Sequence, residues 1–250
     1  EAEILYCNTN EEIRGTEHVD ANVDCVCDNC DAIFAATVTT ADGSSKMSYI
    51  SLEEAISAAE ENEGSTVTLA ANITMGTYVA IDRGTVTIDL NGYRWESSSW
   101  ALYVEGTANV SITGGTIEGE DEDIYWKGGT IVLSEYSSPD GIKVSRDGDA
   151  TTTIADIKLP DGYVLIDGNG AVADDFSGAA DDDSTVYTVK KDNRKTVTFD
   201  ANGGTCSMPS AVTTLEGKLT SLPGATHESM DFKGWYDASE GGNEITLDHV

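Results

Sequence analysis

The residue pattern predicts a mainly β protein: a short solenoid of stacked coils, closed at its N-terminal end by one α-helix, followed by a small β module. Three observations carry this expectation. The runs "TVTL" at Thr66, "TVTI" at Thr85, "NVSI" at Asn109 and "TIVL" at Thr130 set Val67/Leu69, Val86/Ile88, Val110/Ile112 and Ile131/Leu133 in matching positions. Their period drifts around roughly twenty residues, the mark of coils that bury inward side chains only by stacking on neighbours. A single convincing amphipathic helix precedes them, and the C-terminal stretch "VTFDANGG", Val197 to Gly204, alternates apolar and polar residues before a glycine turn.

The domain boundaries follow composition. At 250 residues the chain has room for one large domain or a few small ones. We divide it into an acidic Cys-rich segment (1–36), a capped solenoid (37–190) and a C-terminal module (191–250). With 45 acidic against 14 basic side chains and a net charge of −31, nucleic acid and anionic membranes are repelled, whereas cationic partners and Ca²⁺ remain open. No 18-residue apolar run is present, so membrane insertion is not expected. The chain opens "EAEIL", without a start methionine or a basic-then-apolar signal, so an exported protein would have lost its leader before this point.

Residues 1–36 hold four of the five cysteines. Cys7, Cys25, Cys27, Cys30 and His18 are candidate ligands for structural zinc, because closely spaced soft donors on a short loop suit Zn²⁺. Cys27 and Cys30 make one C-x-x-C with no second pair behind it, and a disulfide from Cys7 to Cys25 or Cys30 is the equal alternative. Asp20, Asn22, Asp24, Asp28 and Asp31 occupy positions 1, 3, 5, 9 and 12 of an EF-hand-like frame, a candidate site for calcium. Cys25 stands where such a loop wants glycine, and the frame lacks a bidentate Glu, so an acidic turn is the competing reading. From His18 to Cys30 the segment resembles the "H-x-D-x-N-x-D…C-D-x-C" modules of secreted Gram-positive surface proteins, which implies export.

In residues 37–190, Ser51 and Glu54 have capping-box spacing, and Leu52, Ala55, Ile56 and Ala59 form one apolar face before "ENEG" stops the helix. The shorter runs "YVAI" and "ALYV" supply the other faces of each coil, and Asn72 and Asn91 sit at equivalent turns, as a ladder or as simple turn formers. The stretch "YISLEEAISAAEENEGSTVTLAANITM…VTIDLNGY…VSITGGTI" resembles the short right-handed parallel β-helix of pectate-lyase-like surface proteins from gut Firmicutes. That resemblance implies a helix capping the N-terminal end and an irregular β closure after "GGTIVLSEYSS".

Lyases of that fold use clustered Asp for Ca²⁺ with an Arg or Lys base, and hydrolases use paired carboxylates. Neither set is visible: Asp89, Arg83, Arg94 and Lys127 are scattered, and no histidine lies between 37 and 190. The acidic run "GEDEDIYW" leaves Asp121 and Asp123 as the Ca²⁺ ligands of a divergent polysaccharide lyase, or as an exposed loop. The aromatic group Tyr93, Trp95, Trp100 and Tyr103 is the candidate ligand surface, since flat rings on a β scaffold stack on sugars or bury a protein partner. Core packing is the alternative for the same rings.

From Lys191 onward, "KTVTFDANGGT", "LEGKLTSLP" and "DFKGWYDASEGGNEI" resemble the Listeria–Bacteroides B-repeat, a small β-grasp-like module of Gram-positive surface proteins. Asn-Gly-Gly supplies the positive φ angles of a tight hairpin. A phosphate cradle would need a helix start and a lysine, which "TCSMPS" does not offer. Phe199, Phe232 and Trp235 are expected in the core, with Tyr236 and Lys233 outward. The repeat's usual last strand is not evident in "NEITLDHV", so marginal stability is expected, and Cys206 is left as an odd thiol. The combined expectation is a non-catalytic, exported bacterial surface protein at the cell surface or wall. It would act as an adhesion or spacer module contacting host or dietary glycan or a surface protein, with the Ca-dependent lyase as the alternative.

Overall fold

The computed structural model describes residues 20–28, 32–136, 141–174 and 184–247. The chain divides into two compact units, Glu1–Lys190 and Lys191–Val250.

The first unit opens with a hairpin, β1 (Ala36–Thr39) and β2 (Lys46–Tyr49), followed by α1 (Leu52–Glu61). Ser51 stays extended and its hydroxyl accepts the Glu54 N–H at 3.2 Å, satisfying a donor that the first helical turn leaves open. Leu52, Ala55, Ile56 and Ala59 are buried, as the 3.6-residue period requires. The first two coils each carry three strands: β3 (Thr66–Leu69), β4 (Ile73–Met75) and β5 (Val79–Ile81), then β6 (Thr85–Asp89), β7 (Arg94–Ser97) and β8 (Leu102–Val104). In the third coil one long strand, β9 (Asn109–Gly119), serves two faces, and β10 (Ile124–Trp126) serves the third. The fourth consists of β11 (Thr130–Tyr136) and β12 (Ile142–Asp147). The unit closes with a 3₁₀ turn (Ile154–Asp156), β13 (Ile157–Lys158), β14 (Tyr163–Ile166) and β15 (Ser184–Lys191).

Like strands of successive coils pair in parallel, so residues 66–158 form a β-solenoid of about four turns. One face runs β3-β6-β9-β11-β13, a second joins β4, β7 and the far half of β9, and the third runs β5-β8-β10-β12. Val67, Val86, Ile88, Val110, Ile112 and Ile131 are wholly buried along the interior of the first face. The predicted matching holds from Val86 through Val110 to Ile131. The first step is corrected by two residues: Val67 pairs with Ile88, not Val86. An even shift keeps every side chain on its own face, so hydrophobicity alone does not distinguish the two registers.

Two features at the ends went unpredicted. The helix does not cap the solenoid alone: β1 pairs antiparallel with β3 and carries β2 beyond it, and α1 packs on β1, β2 and the first coils. At the other end β15 lies antiparallel on β12, with β14 outside it. Asn72 and Asn91 form no mutual ladder. Asn72 accepts the Arg94 N–H of the next coil, and Asn91 donates back to the Leu69 carbonyl of the previous one, each across 22 residues.

The second unit contains three short antiparallel pairs, formed by β16 (Thr196–Thr198), β17 (Thr205–Cys206), β18 (Ser210–Val212), β19 (Ala225–Thr226), β20 (Trp235–Tyr236) and β21 (Glu244–Ile245). β16 pairs with β18, β17 with β19, and β20 with β21. Asn202 (φ 48°) and Gly203 (φ 89°) make the expected turn, closed by the Gly204 N–H on the Ala201 carbonyl. The tight-hairpin expectation is nevertheless corrected, because the strands flanking that turn belong to different pairs. Phe199 is buried, Trp235 is half-buried and Tyr236 is exposed, but Phe232 is 45% exposed and does not join the core.

Candidate functional site

The third face of the solenoid carries aromatic rings on its outer side. In β8 and β10 the alternation sends Leu102, Val104, Ile124 and Trp126 inward, which leaves Tyr103 and Tyr125 outward and in direct register. Trp100 lies two residues before β8 and Tyr78 one residue before β5. Trp100 stacks on Tyr125 at 4.2 Å between ring centroids and 26° between planes. Tyr103 meets Tyr125 edge-on at 5.3 Å, and Tyr78 lies 5.6 Å from both Trp100 and Tyr103. Tyr78 is exposed and the other three rings are half-buried.

A carboxylate holds the polar end of three of these rings. Trp100 Nε1 donates to Glu122 at 3.2 Å, the Tyr103 hydroxyl to Glu105 at 2.9 Å and the Tyr125 hydroxyl to Asp147 at 2.8 Å. Lys127 stands 3.7 Å from Asp147. Partial burial, reinforced by the bond to Glu105 and its charge, pushes the Tyr103 phenol up to about 12, so this hydroxyl remains a donor. Burial alone would raise Asp147, but the Tyr125 hydroxyl, the Asp149 N–H and Lys127 together hold it below the ordinary carboxylate value.

Of the four rings expected at a ligand surface, the structure brings together Trp100 and Tyr103. Trp95 is a correction: it is wholly buried, stacked between Ile73 and Ile117 on the second face, because its place in β7 points inward. Tyr93 makes no ring contact with this group among the described residues and packs against the core beside the β9 corner. Tyr78 and Tyr125 were missed, although the sequence held a signal for them. Tyr78 precedes Trp100, and Tyr103 precedes Tyr125, by the 22-residue spacing that inter-coil hydrogen bonds repeat here.

The acidic loop behaves differently from a calcium site. Asp123 is buried, and its carboxylate accepts the Gly119 N–H at 3.0 Å and the Lys143 N–H at 2.7 Å, tying one coil to the next. Burial pushes its pKa up despite those two bonds. It therefore braces the backbone instead of facing solvent beside the exposed Asp121. Asp89 caps the Asn91 N–H, and Arg94 pairs with Glu96 and Glu118 on the second face.

Of the N-terminal ligand candidates, Cys7, His18, Cys30 and Asp31 lie outside the described residues. Asp20 accepts from the Asp24 and Cys25 N–H groups and from the Ser48 hydroxyl; Asn22 and Asp24 bond each other and the local backbone. Cys25 adopts φ 68°, the left-handed conformation that position 6 of an EF-hand-like frame requires, and burial with the charge of Asp20 pushes its thiol up. Cys27 is buried beside Phe34. Among the described residues no group of three or more His, Cys, Asp or Glu side chains is arranged to hold a metal ion.

In the second unit Trp235 joins Phe199 (4.9 Å) and Phe232 (5.3 Å) and donates its indole N–H to the Pro223 carbonyl. Residues 196–249 match the Listeria-Bacteroides repeat domain. The Listeria-Bacteroides repeat thus accounts for the C-terminal unit, well under half of the chain. Such repeats occur in extracellular proteins, and the match suggests an extracellular surface module. An open cleft of about 650 Å³ in the repeat is lined by Phe199, Leu219, Met230, Phe232, Trp235 and Ile245, among others. No curated protein and no solved structure matches the chain. Among the described residues no helix is long and apolar enough to cross a membrane.

Proposed function

We propose that this chain is a non-catalytic, extracellular surface module whose solenoid binds glycan through the outward rings Tyr78, Trp100, Tyr103 and Tyr125. The observation that carries the reading is their convergence on one sheet face from successive coils, each of Trp100, Tyr103 and Tyr125 oriented by its own carboxylate. Flat rings held at fixed angles present hydrophobic faces to sugar C–H groups, and neighbouring carboxylates accept sugar hydroxyls. The Listeria-Bacteroides repeat supports the extracellular setting, and acts as spacer or second contact. A location on the surface or wall of a Gram-positive bacterium is part of the same reading, supported by that repeat and by the resemblance of His18 to Cys30 to secreted modules.

Binding of the full chain to a panel of immobilised polysaccharides, with Trp100→Ala and Tyr125→Ala as variants, tests the reading. Each substitution is expected to weaken binding by about fivefold, as loss of one ring contact worth on the order of 1 kcal/mol implies. Binding that survives both substitutions unchanged would move the site elsewhere.

A further inference from the structure

We propose that the glycan taken by this face is a polymer of amino sugars with free amines, rather than a neutral polymer or a uronate; the proposal rests on the glycan-binding reading above. Three carboxylates, Glu105, Glu122 and Asp147, stand at the margins of three rings, each accepting from the ring's own donor. A carboxylate has about four acceptor positions, so Glu105 and Glu122, each accepting from one ring, can still accept from a ligand, whereas Asp147 also takes the Asp149 N–H and faces Lys127 and is largely occupied. Among the described residues Lys127 is already 3.7 Å from Asp147, Lys143 is exposed, Arg83 pairs with Asp82 in the turn beside Glu105, and Arg146 is buried and bonded to Thr152 and the Ala150 carbonyl.

The face is therefore aromatic in the middle and anionic at its rim, on a chain of net charge −31. A uronate polymer would set like charges against that rim. A neutral sugar gains ring contacts and hydroxyl bonds only. A sugar ammonium gains those and, in addition, charge-assisted hydrogen bonds to the rim and attraction to the faces of Trp100 and the tyrosines. Tyr103 and Tyr125 lie on outer strand positions, with Tyr78 and Trp100 just ahead of β5 and β8, so the rings span successive coils and suit a ligand laid across them.

The test compares binding of the full chain to glucosamine oligomers, their fully N-acetylated counterparts, oligogalacturonate and oligolysine, at low and high salt. Wild type, Trp100→Ala and the double variant Glu105→Gln/Glu122→Gln are measured after their melting curves confirm folding. The expected result is that free-amine oligomers bind about tenfold or more tighter than acetylated ones, a gap that closes at high salt and in the Glu→Gln variant, while Trp100→Ala weakens both. Equal or tighter binding of acetylated oligomers or of oligogalacturonate overturns the amine assignment and leaves the glycan reading standing. Tighter binding of oligolysine, sensitive to Trp100→Ala, assigns the face to a basic protein and overturns the proposal. No oligosaccharide bound by folded protein at any salt removes both readings together.

Discussion

Trp95 and Trp100 lie five positions apart in the sequence and have opposite environments. Trp95 fills the coil interior, and its indole N–H finds no acceptor among the described residues. An unbonded buried donor costs on the order of 1–3 kcal/mol, so removing it offsets part of what is lost with the ring. Trp95→Phe is therefore expected to cost less than about 2 kcal/mol and Trp95→Ala about 3–5 kcal/mol, measured as shifts in the denaturant midpoint. A loss for Phe well above about 2 kcal/mol would mean that the indole N–H is bonded in solution. Asp147 belongs to the same scale. Its folded pKa lies below the ordinary 3.8, so the stability it contributes is present above that value and lost as pH falls through the lowered one. The melting-temperature gap between wild type and Asp147→Asn is accordingly expected to be wide near neutrality and to narrow below about pH 3.8.

Among the elements, β9 depends most on a single residue. It begins on one face of the solenoid and ends on another, and the bend falls at Gly114 and Gly115, with φ 57° and 127°. A Cβ on Gly115 would stand 2.5 Å from the Tyr93 carbonyl oxygen and 2.6 Å from the Leu90 Cβ, and neither can retreat without moving the previous coil. Backbone strain and overpacking each contribute on the order of 1–3 kcal/mol, so Gly115→Ala is expected to destabilise the solenoid by about 2–5 kcal/mol. A thermal melt within a degree of wild type would show that the corner tolerates a side chain.

At the scale of the whole molecule, the parallel stack is terminated by antiparallel strands at both ends, β1 against β3 and β15 against β12. A solenoid without such ends would offer unpaired strand edges to another chain. The Listeria-Bacteroides repeat has a far smaller core. Its buried apolar side chains among the described residues are Phe199, Leu219 and Pro223, whereas Val212, Met230, Phe232, Tyr236 and Leu247 are exposed. Calorimetry of the full chain is expected to show two endotherms, the lower one from the repeat and removed by Phe199→Ala. A single sharp transition would mean that the repeat is as stable as the solenoid.

Several features were legible in the sequence because they are local. The Ser51 cap, the apolar face of α1, the Asn202-Gly203 turn and the inward Val and Ile residues each follow from φ preference or from period within a few residues. The glycine turn at "DANGG" was recognisable as a turn, but not as a link between two different strand pairs. The aromatic face was half legible: Trp100 and Tyr103 were in view, but Trp95 was included and Tyr78 and Tyr125 were overlooked. Proximity along the chain does not decide which rings meet when coils stack. By itself the sequence determined the solenoid, its capping helix, the C-terminal repeat and the acidic surface. Only the tertiary structure decided the two-residue register step at Val67, the antiparallel ends, the burial of Asp123 and the aromatic face. Each of these depends on which residue lies one coil away, and that distance of about 22 positions varies with every turn of the chain between strands.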